Sequence, residues 1–257
     1  MKAIPSASMP PRAAPAGLAV GQALRDGWRA FQRAPGRFMA FTVLVLLLQA
    51  LCHPLLSRRS DPLGGFTAAD GAVVAAGVLA WLAVSLWALC GFVRASWSAL
   101  EGRRPGASCF LRLDLRALGR LLGALLTLAG LCFGAVLLLA LLEAAVSLLS
   151  DALALVVALL PIPGLLYLLV SQRFLGPISL LEGPGSLATL ERGRRVVDPR
   201  WGSVLALWLV QLLVLVVGVL AGGVGVVVAV PVIACSSTAA YRQLFGNRDR
   251  TGLLGGA

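Results

Sequence analysis

Ionisable side chains are what this chain has least of. It carries 11 Asp and Glu and one histidine, His53, in 257 residues. No paired carboxylates, Ser/His/Asp set, phosphate loop or metal-ligand spacing can be assembled from them, so neither an enzyme nor a bound cofactor is expected. The five cysteines (Cys52, Cys90, Cys109, Cys132, Cys235) stand singly with no CxxC, which argues against a disulfide framework and against a zinc site. Long polar runs are missing too. The longest lies at 1–37, too short for a separate soluble catalytic domain.

What is abundant is apolar sequence. Hydrophobic residues make up 59% of the chain and charged ones 13%, with a mean hydropathy of +0.90. A soluble domain cannot hide that much apolar surface, so the composition predicts an all-α integral membrane protein. The net charge of +11 would point to nucleic acid in a soluble protein. Between apolar blocks it is instead what the positive-inside rule demands, and nucleic acid is not an expected partner.

Residues 1–17 are Pro/Ala/Ser-rich and lack the apolar core of a signal peptide, so they read as a disordered tail; an acid-free transit peptide is the alternative. Gly17–Gly36 reads as an amphipathic helix, with Val20, Leu24, Trp28 and Phe31 on one stripe and Arg25, Arg29 and Arg33 on another. Apolar blocks follow at about 38–56, 72–93, 121–142 and 152–175, and a charge-free run from Gly202 to Ala240 divides at Gly222-Gly223 into 202–221 and 224–240. Each block is near the roughly 20 residues needed to cross a bilayer. Residues 18–245 form one six-span membrane domain on this reading, and 246–257 a flexible tail.

The basic residues test that division. Twenty of the 22 fall in the N-terminal segment, 94–120, 172–201 and the C-terminus, leaving only Arg58 and Arg59 in the opposite loops. One face is therefore basic, which places both termini in the cytoplasm, N-in and C-in.

The polar, Arg-bearing stretch Leu181–Trp201 organises the second half. Its layout echoes the first: Ala23–Phe41 and Thr189–Leu207 each carry a Leu, a nearby acid, Gly-x-Arg, a Pro break, then Arg-aromatic at the start of a span. Arg94 precedes Leu100-Glu101-Gly102 as Arg173 precedes Leu181-Glu182-Gly183. Three parallel units follow from this, each an amphipathic cytoplasmic-side helix feeding a span hairpin. In the second unit Arg112, Arg116 and Arg120, four apart, predict a helix running straight into the third span.

The segment from Tyr167 to Leu209, with Arg173-Phe174, Glu182-Gly183, Arg194-Arg195-Val196-Val197 and Arg200-Trp201, resembles the core of bacterial membrane proteins related to the membrane domain of glycerophosphoryl diester phosphodiesterase. The opening helix and the stretch from Pro231 to Tyr241-Arg242 fit that family's start and end. The resemblance implies a six-helix domain of the bacterial cytoplasmic (inner) membrane, without the catalytic barrel of fused relatives. Gly193 departs from the pattern, where a Ser usually stands.

Candidate site residues follow. Arg25, Arg29, Arg33, Arg112, Arg116, Arg120, Arg192, Arg194 and Arg195 are candidates for anionic lipid headgroups, making membrane lipids the expected partner. Glu143 and Arg173 are candidate intramembrane polar sites, and Pro161 and Pro163 predict a kink in the fourth span. Gly130/Gly134 and Gly218/Gly222 are close-approach candidates. The expected function is a lipid-interacting or complex-organising membrane protein; the alternative is a transporter component using the kinked span and Glu143.

Overall fold

The computed structural model describes residues 17–56 and 67–255; the expected tail up to residue 16, residues 57–66 of the first loop, and residues 256–257 lie outside it. Among the described residues there is no strand, and eleven α-helices follow one another: α1 Val20–Gln32, α2 Pro35–Leu56, α3 Ala68–Leu100, α4 Ala107–Leu111, α5 Leu115–Ser147, α6 Asp151–Leu159, α7 Pro161–Ser171, α8 Leu175–Leu181, α9 Ser186–Val197, α10 Trp201–Leu220 and α11 Val226–Phe245. Six helical stretches are long and apolar enough to cross a membrane: Pro35–Leu56, Ala68–Leu100, Leu115–Ser147, Asp151–Leu181, Ser186–Leu220 and Val226–Phe245. The chain is a multi-pass membrane protein.

Local chemistry explains where these helices begin and end. Thr67 and Asp70 cap α3 reciprocally, each side chain accepting from the other's backbone N–H. Gly102 (φ +92) stops it and Gly183 (φ +61) follows the end of α8, both in the left-handed region that only glycine enters cheaply. Pro161 opens α7 just after α6 ends, so the fourth span is broken where the two prolines predict. Gly222 (φ +74) and Gly223 (φ +79) turn α10 into α11.

The second half of α3 is the central pillar. Cys90 to Ala99 are buried without interruption, as a helix enclosed on all sides must be. α1, α2, α4, α5, α8 and α11 all pack on it. α2 lies antiparallel to α3, with Phe41 edge-on to Phe92 at 5.0 Å and Gln49 donating to Ser85 at 3.2 Å. Small residues set the close approaches. A Cβ on Gly27 would stand 2.5 Å from the Ser236 backbone, and one on Gly218 would meet Gly225 at 3.0 Å and Ala229 at 3.1 Å. α5 differs. Only Ala117, Leu121 and Ala124, in its first three turns, are buried, and no atom approaches the Gly130 or Gly134 position within 4 Å.

α1 buries Ala23, Gly27, Ala30 and Phe31 and packs Val20 and Leu24 against the core, while Trp28 and the row Arg25, Arg29 and Arg33 are exposed. Small residues set its close approach to α11. Three expectations are corrected. The second unit has no long interfacial helix: α4 has five residues, Arg112 lies outside any helix, and Asp114 starts α5 by accepting from the Ala117 N–H at 3.0 Å. Arg112, Arg116 and Arg120 are thus not one helical ladder. The expected flexible tail from 246 is docked on α8: Arg250 N–H donates to Leu181 O at 2.8 Å, Thr251 Oγ1 to Leu180 O at 2.6 Å, and Leu253 is buried. Its bonds to carbonyls at the end of α8 outweigh the freedom suggested by its composition. The apolar helices also outrun the blocks read from sequence, α3 and α5 most of all, because both continue past the apolar window into polar sequence.

Candidate functional site at the basic end

The ends of α3, α8 and α11, the starts of α2 and α5, and the shorter α1, α4 and α9 gather with the 246–255 segment into one basic end. Its arginines divide by what holds them. One group donates to main-chain carbonyls at helix ends and turns. Arg33 donates to Ala99 O, Arg37 to Pro105 O at 2.7 Å, Arg120 to Ser179 O at 3.3 Å, and Arg200 to Val196 O at 3.4 Å. Arg94, fully buried, donates from Nε to Cys109 O at 3.1 Å and from a terminal nitrogen to Arg112 O. It thereby straps α4 and the break before α5 onto the pillar.

A second group is paired with acids: Arg29 with Asp26 at 3.8 Å, Arg192 with Glu182 at 3.1 Å, Arg194 with Asp198 at 3.8 Å and Arg195 with Glu191 at 2.5 Å. Most of these pairs are exposed, where each is worth under about 1 kcal/mol. Glu182 is the exception, largely shielded and also accepting from Tyr241 Oη at 3.3 Å. A third group, Arg25, Arg112 and Arg116, forms no hydrogen bond or ion pair from its side chains among the described residues, and all three are exposed. Leu111, Leu113 and Leu115 are exposed beside Arg112 and Arg116, an apolar-plus-cationic edge suited to the boundary between acyl chains and headgroups.

Between α1, the end of α3 and α11 lies a cavity of about 500 Å³, lined by Asp26, Arg29, Arg33, Arg242, Gln243 and Asn247 among others. Three guanidinium groups face one carboxylate, so the cavity has a net positive lining. Arg242 is held rigidly, its guanidinium 4.9 Å from the Trp97 ring centre and its Nε donating to Asn247 Oδ1 at 2.8 Å. An anionic, hydrogen-bond-accepting group such as a phosphate matches this lining in charge and donor geometry. A second basic hollow, lined by Arg192, Arg195 and Arg250, also contains Glu182 and Glu191 and so is nearly neutral.

Of the other predicted residues, Arg173 enters a polar chain within the bundle: it donates to Gln211 Oε1 at 2.7 Å, and Gln211 Nε2 donates to Ser236 Oγ at 2.9 Å and Ser237 Oγ at 3.1 Å. Glu143 is near the far end of α5, partly exposed, and lines none of the cavities described here. Pro161 and Pro163 break the helix without lining them either. From sequence Arg94 stood only as basic-face charge and as a marker of the repeat, not as a site residue. The signal was present, since a lone arginine in the apolar run Gly91-Phe92-Val93-Arg94-Ala95 marks a charge that needs a partner in the fold. α8, almost wholly buried, had no such signal. The chain matches no family model, no curated protein and no solved structure.

Proposed function

We propose that this chain is a non-enzymatic multi-pass protein of the bacterial cytoplasmic membrane, whose basic end faces the cytoplasm and holds anionic lipid headgroups, alone or while organising a membrane complex. In this reading α1 and α9 are the amphipathic interfacial helices, α4 is their shortened counterpart, and α2–α3, α5–α7 and α10–α11 are the three span hairpins. The resemblance to the phosphodiesterase-linked membrane domain supports the same six-span plan without its chemistry. The observation that carries the lipid reading is the 500 Å³ cavity with three arginines against one aspartate. Exposed Arg25, Arg112 and Arg116 add charge elsewhere at the basic end, each worth about 1 kcal/mol at an anionic surface.

Native mass spectrometry of the full chain, released from bilayers containing phosphatidylglycerol and phosphatidylcholine in equal parts, tests this. Selective retention of phosphatidylglycerol is expected. It should fall by about tenfold or more when Arg25, Arg29 and Arg116 are all changed to Gln, as about 1 kcal/mol per charge implies. Equal retention of both lipids by the unmodified chain would overturn the proposal.

A further inference from the structure

Arg173 lies apart from the basic cavity, and its surroundings are of another kind. It borders a separate hollow of about 270 Å³ whose remaining lining is Trp208, Gln211, Leu212, Leu215, Val230 and Ile233, on α10 and α11. Gln211 is ten residues beyond the start of α10, about 15 Å along the helix at 1.5 Å per residue. Its side chain is buried, with Oε1 accepting from Arg173 and Nε2 donating to Ser236 and Ser237. Both ends are engaged, so Gln211 is a fixed strut that aims the guanidinium. Arg173 makes no ion pair among the described residues. A guanidinium has five N–H donors in a planar fork, and the one hydrogen bond found for this side chain is that to Gln211.

A cation against apolar walls is costly unless an anion completes it. Arg94, six residues before Leu100-Glu101-Gly102, shows how this fold engages a buried arginine from within, on two main-chain carbonyls, with one terminal nitrogen left without a partner. Arg173 has no such carbonyls and opens on a hollow instead. The ligand that fits has one negatively charged, bidentate acceptor and an apolar body. Carboxylates and phosphodiesters share that acceptor chemistry. A carboxylate in apolar surroundings can discharge itself by taking up a proton, as buried acids do, whereas a phosphodiester remains ionised.

We propose that the hollow between Arg173, Gln211 and Trp208 is an intramembrane binding site for the phosphodiester of an anionic phospholipid, with an acyl chain running along Leu212, Leu215, Val230 and Ile233. The site rests on the reading of the chain as a lipid-interacting membrane protein, but it shares no residue with the basic cavity.

The test is photo-crosslinking of the full chain in phosphatidylcholine vesicles doped with phosphatidylglycerol carrying a diazirine in its acyl chain, with labelled residues mapped by mass spectrometry. Labelling is expected on α10 between Trp208 and Leu215. It should be displaced by unlabelled phosphatidylglycerol but not by added phosphatidylcholine, an arm that needs no variant. Arg173→Gln should lower it about tenfold, the loss expected for one charge-assisted contact, and Arg173→Lys should keep part of it. Arg25/Arg29/Arg116→Gln should leave it intact while reducing total phosphatidylglycerol retention, so failure here and failure of the basic-end reading are told apart. Labelling of these residues by a diazirine phosphatidylcholine to the same extent, or by a diazirine fatty acid in place of phosphatidylglycerol, would overturn the proposal. So would labelling unaffected by Arg173→Gln in a variant that retains its helical circular dichroism.

Discussion

Arg94 and Arg173 each precede a Leu-Glu-Gly that ends a helix, Arg94 within α3 and Arg173 between α7 and α8. Their uses diverge. Arg94 is enclosed by α3, α4 and the break before α5, and it holds carbonyls of two segments 15 and 18 residues away. Arg173 meets one side-chain amide, 38 residues away, and otherwise borders a hollow. An arginine ahead of a Leu-Glu-Gly helix end is a structural strap where the next segment folds back over it. Where the next segment, α8, turns into the core instead, it is an unmatched charge. Burial alone therefore does not identify function; the number of acceptors that the fold supplies does.

That contrast can be broken experimentally, most forcefully at Arg94. Arg94→Ala removes the donors to Cys109 and Arg112 and leaves buried carbonyls without partners, for a loss of about 3 kcal/mol or more. Thermal unfolding in detergent followed by size-exclusion should show a large fall in midpoint, and an unchanged midpoint would remove the strap role. Gln211→Leu is expected to cost less, about 1–2 kcal/mol, because interhelical polar contacts in membranes are individually modest. The same assay reads it, and a loss as large as that of Arg94→Ala would make the second network a strap as well.

Two smaller effects sharpen the comparison around Arg173. A Cβ at Gly193 would stand 3.3 Å from Gln172 Oε1, a buried acceptor with no hydrogen-bond partner. Gly193→Ser supplies a donor there and removes a glycine from the interior of α9. A gain of about 1 kcal/mol is expected in the unfolding assay, and destabilisation would show that Gln172 and the Ser171 carbonyl cannot yield the few tenths of an ångström that the new atom needs. Arg173→Gln should cost about 1 kcal/mol, the loss of one hydrogen bond to the buried Gln211 amide oxygen. A loss matching that of Arg94→Ala would erase the distinction between the two arginines.

Much of the architecture was legible because a bilayer constrains sequence harshly. The apolar blocks predicted six crossings, and six helices meet that requirement. Pro161 and Gly222-Gly223 marked a break and a turn that local backbone chemistry alone produces. The Leu-Glu-Gly repeats appear as two helix ends followed by left-handed glycines. The apolar stripe of α1 was legible as well: Phe31 is buried and Val20 and Leu24 pack against the core, with Trp28 alone of that stripe left exposed. The docking of 246–255 was invisible, since it depends on the carbonyls of Leu180 and Leu181 some 70 residues earlier.

The sequence by itself determined where the chain can be apolar and where it is charged. Those are properties of short windows: about 20 apolar residues for a crossing, a glycine or proline where the backbone must turn. Only the tertiary structure decided what each arginine is for. Arg33 finds Ala99, Arg120 finds Ser179 and Arg173 finds Gln211 across separations of 66, 59 and 38 residues. A guanidinium is indifferent to which acceptor it meets, so its role is assigned by whichever carbonyl, carboxylate or empty hollow packing brings within reach.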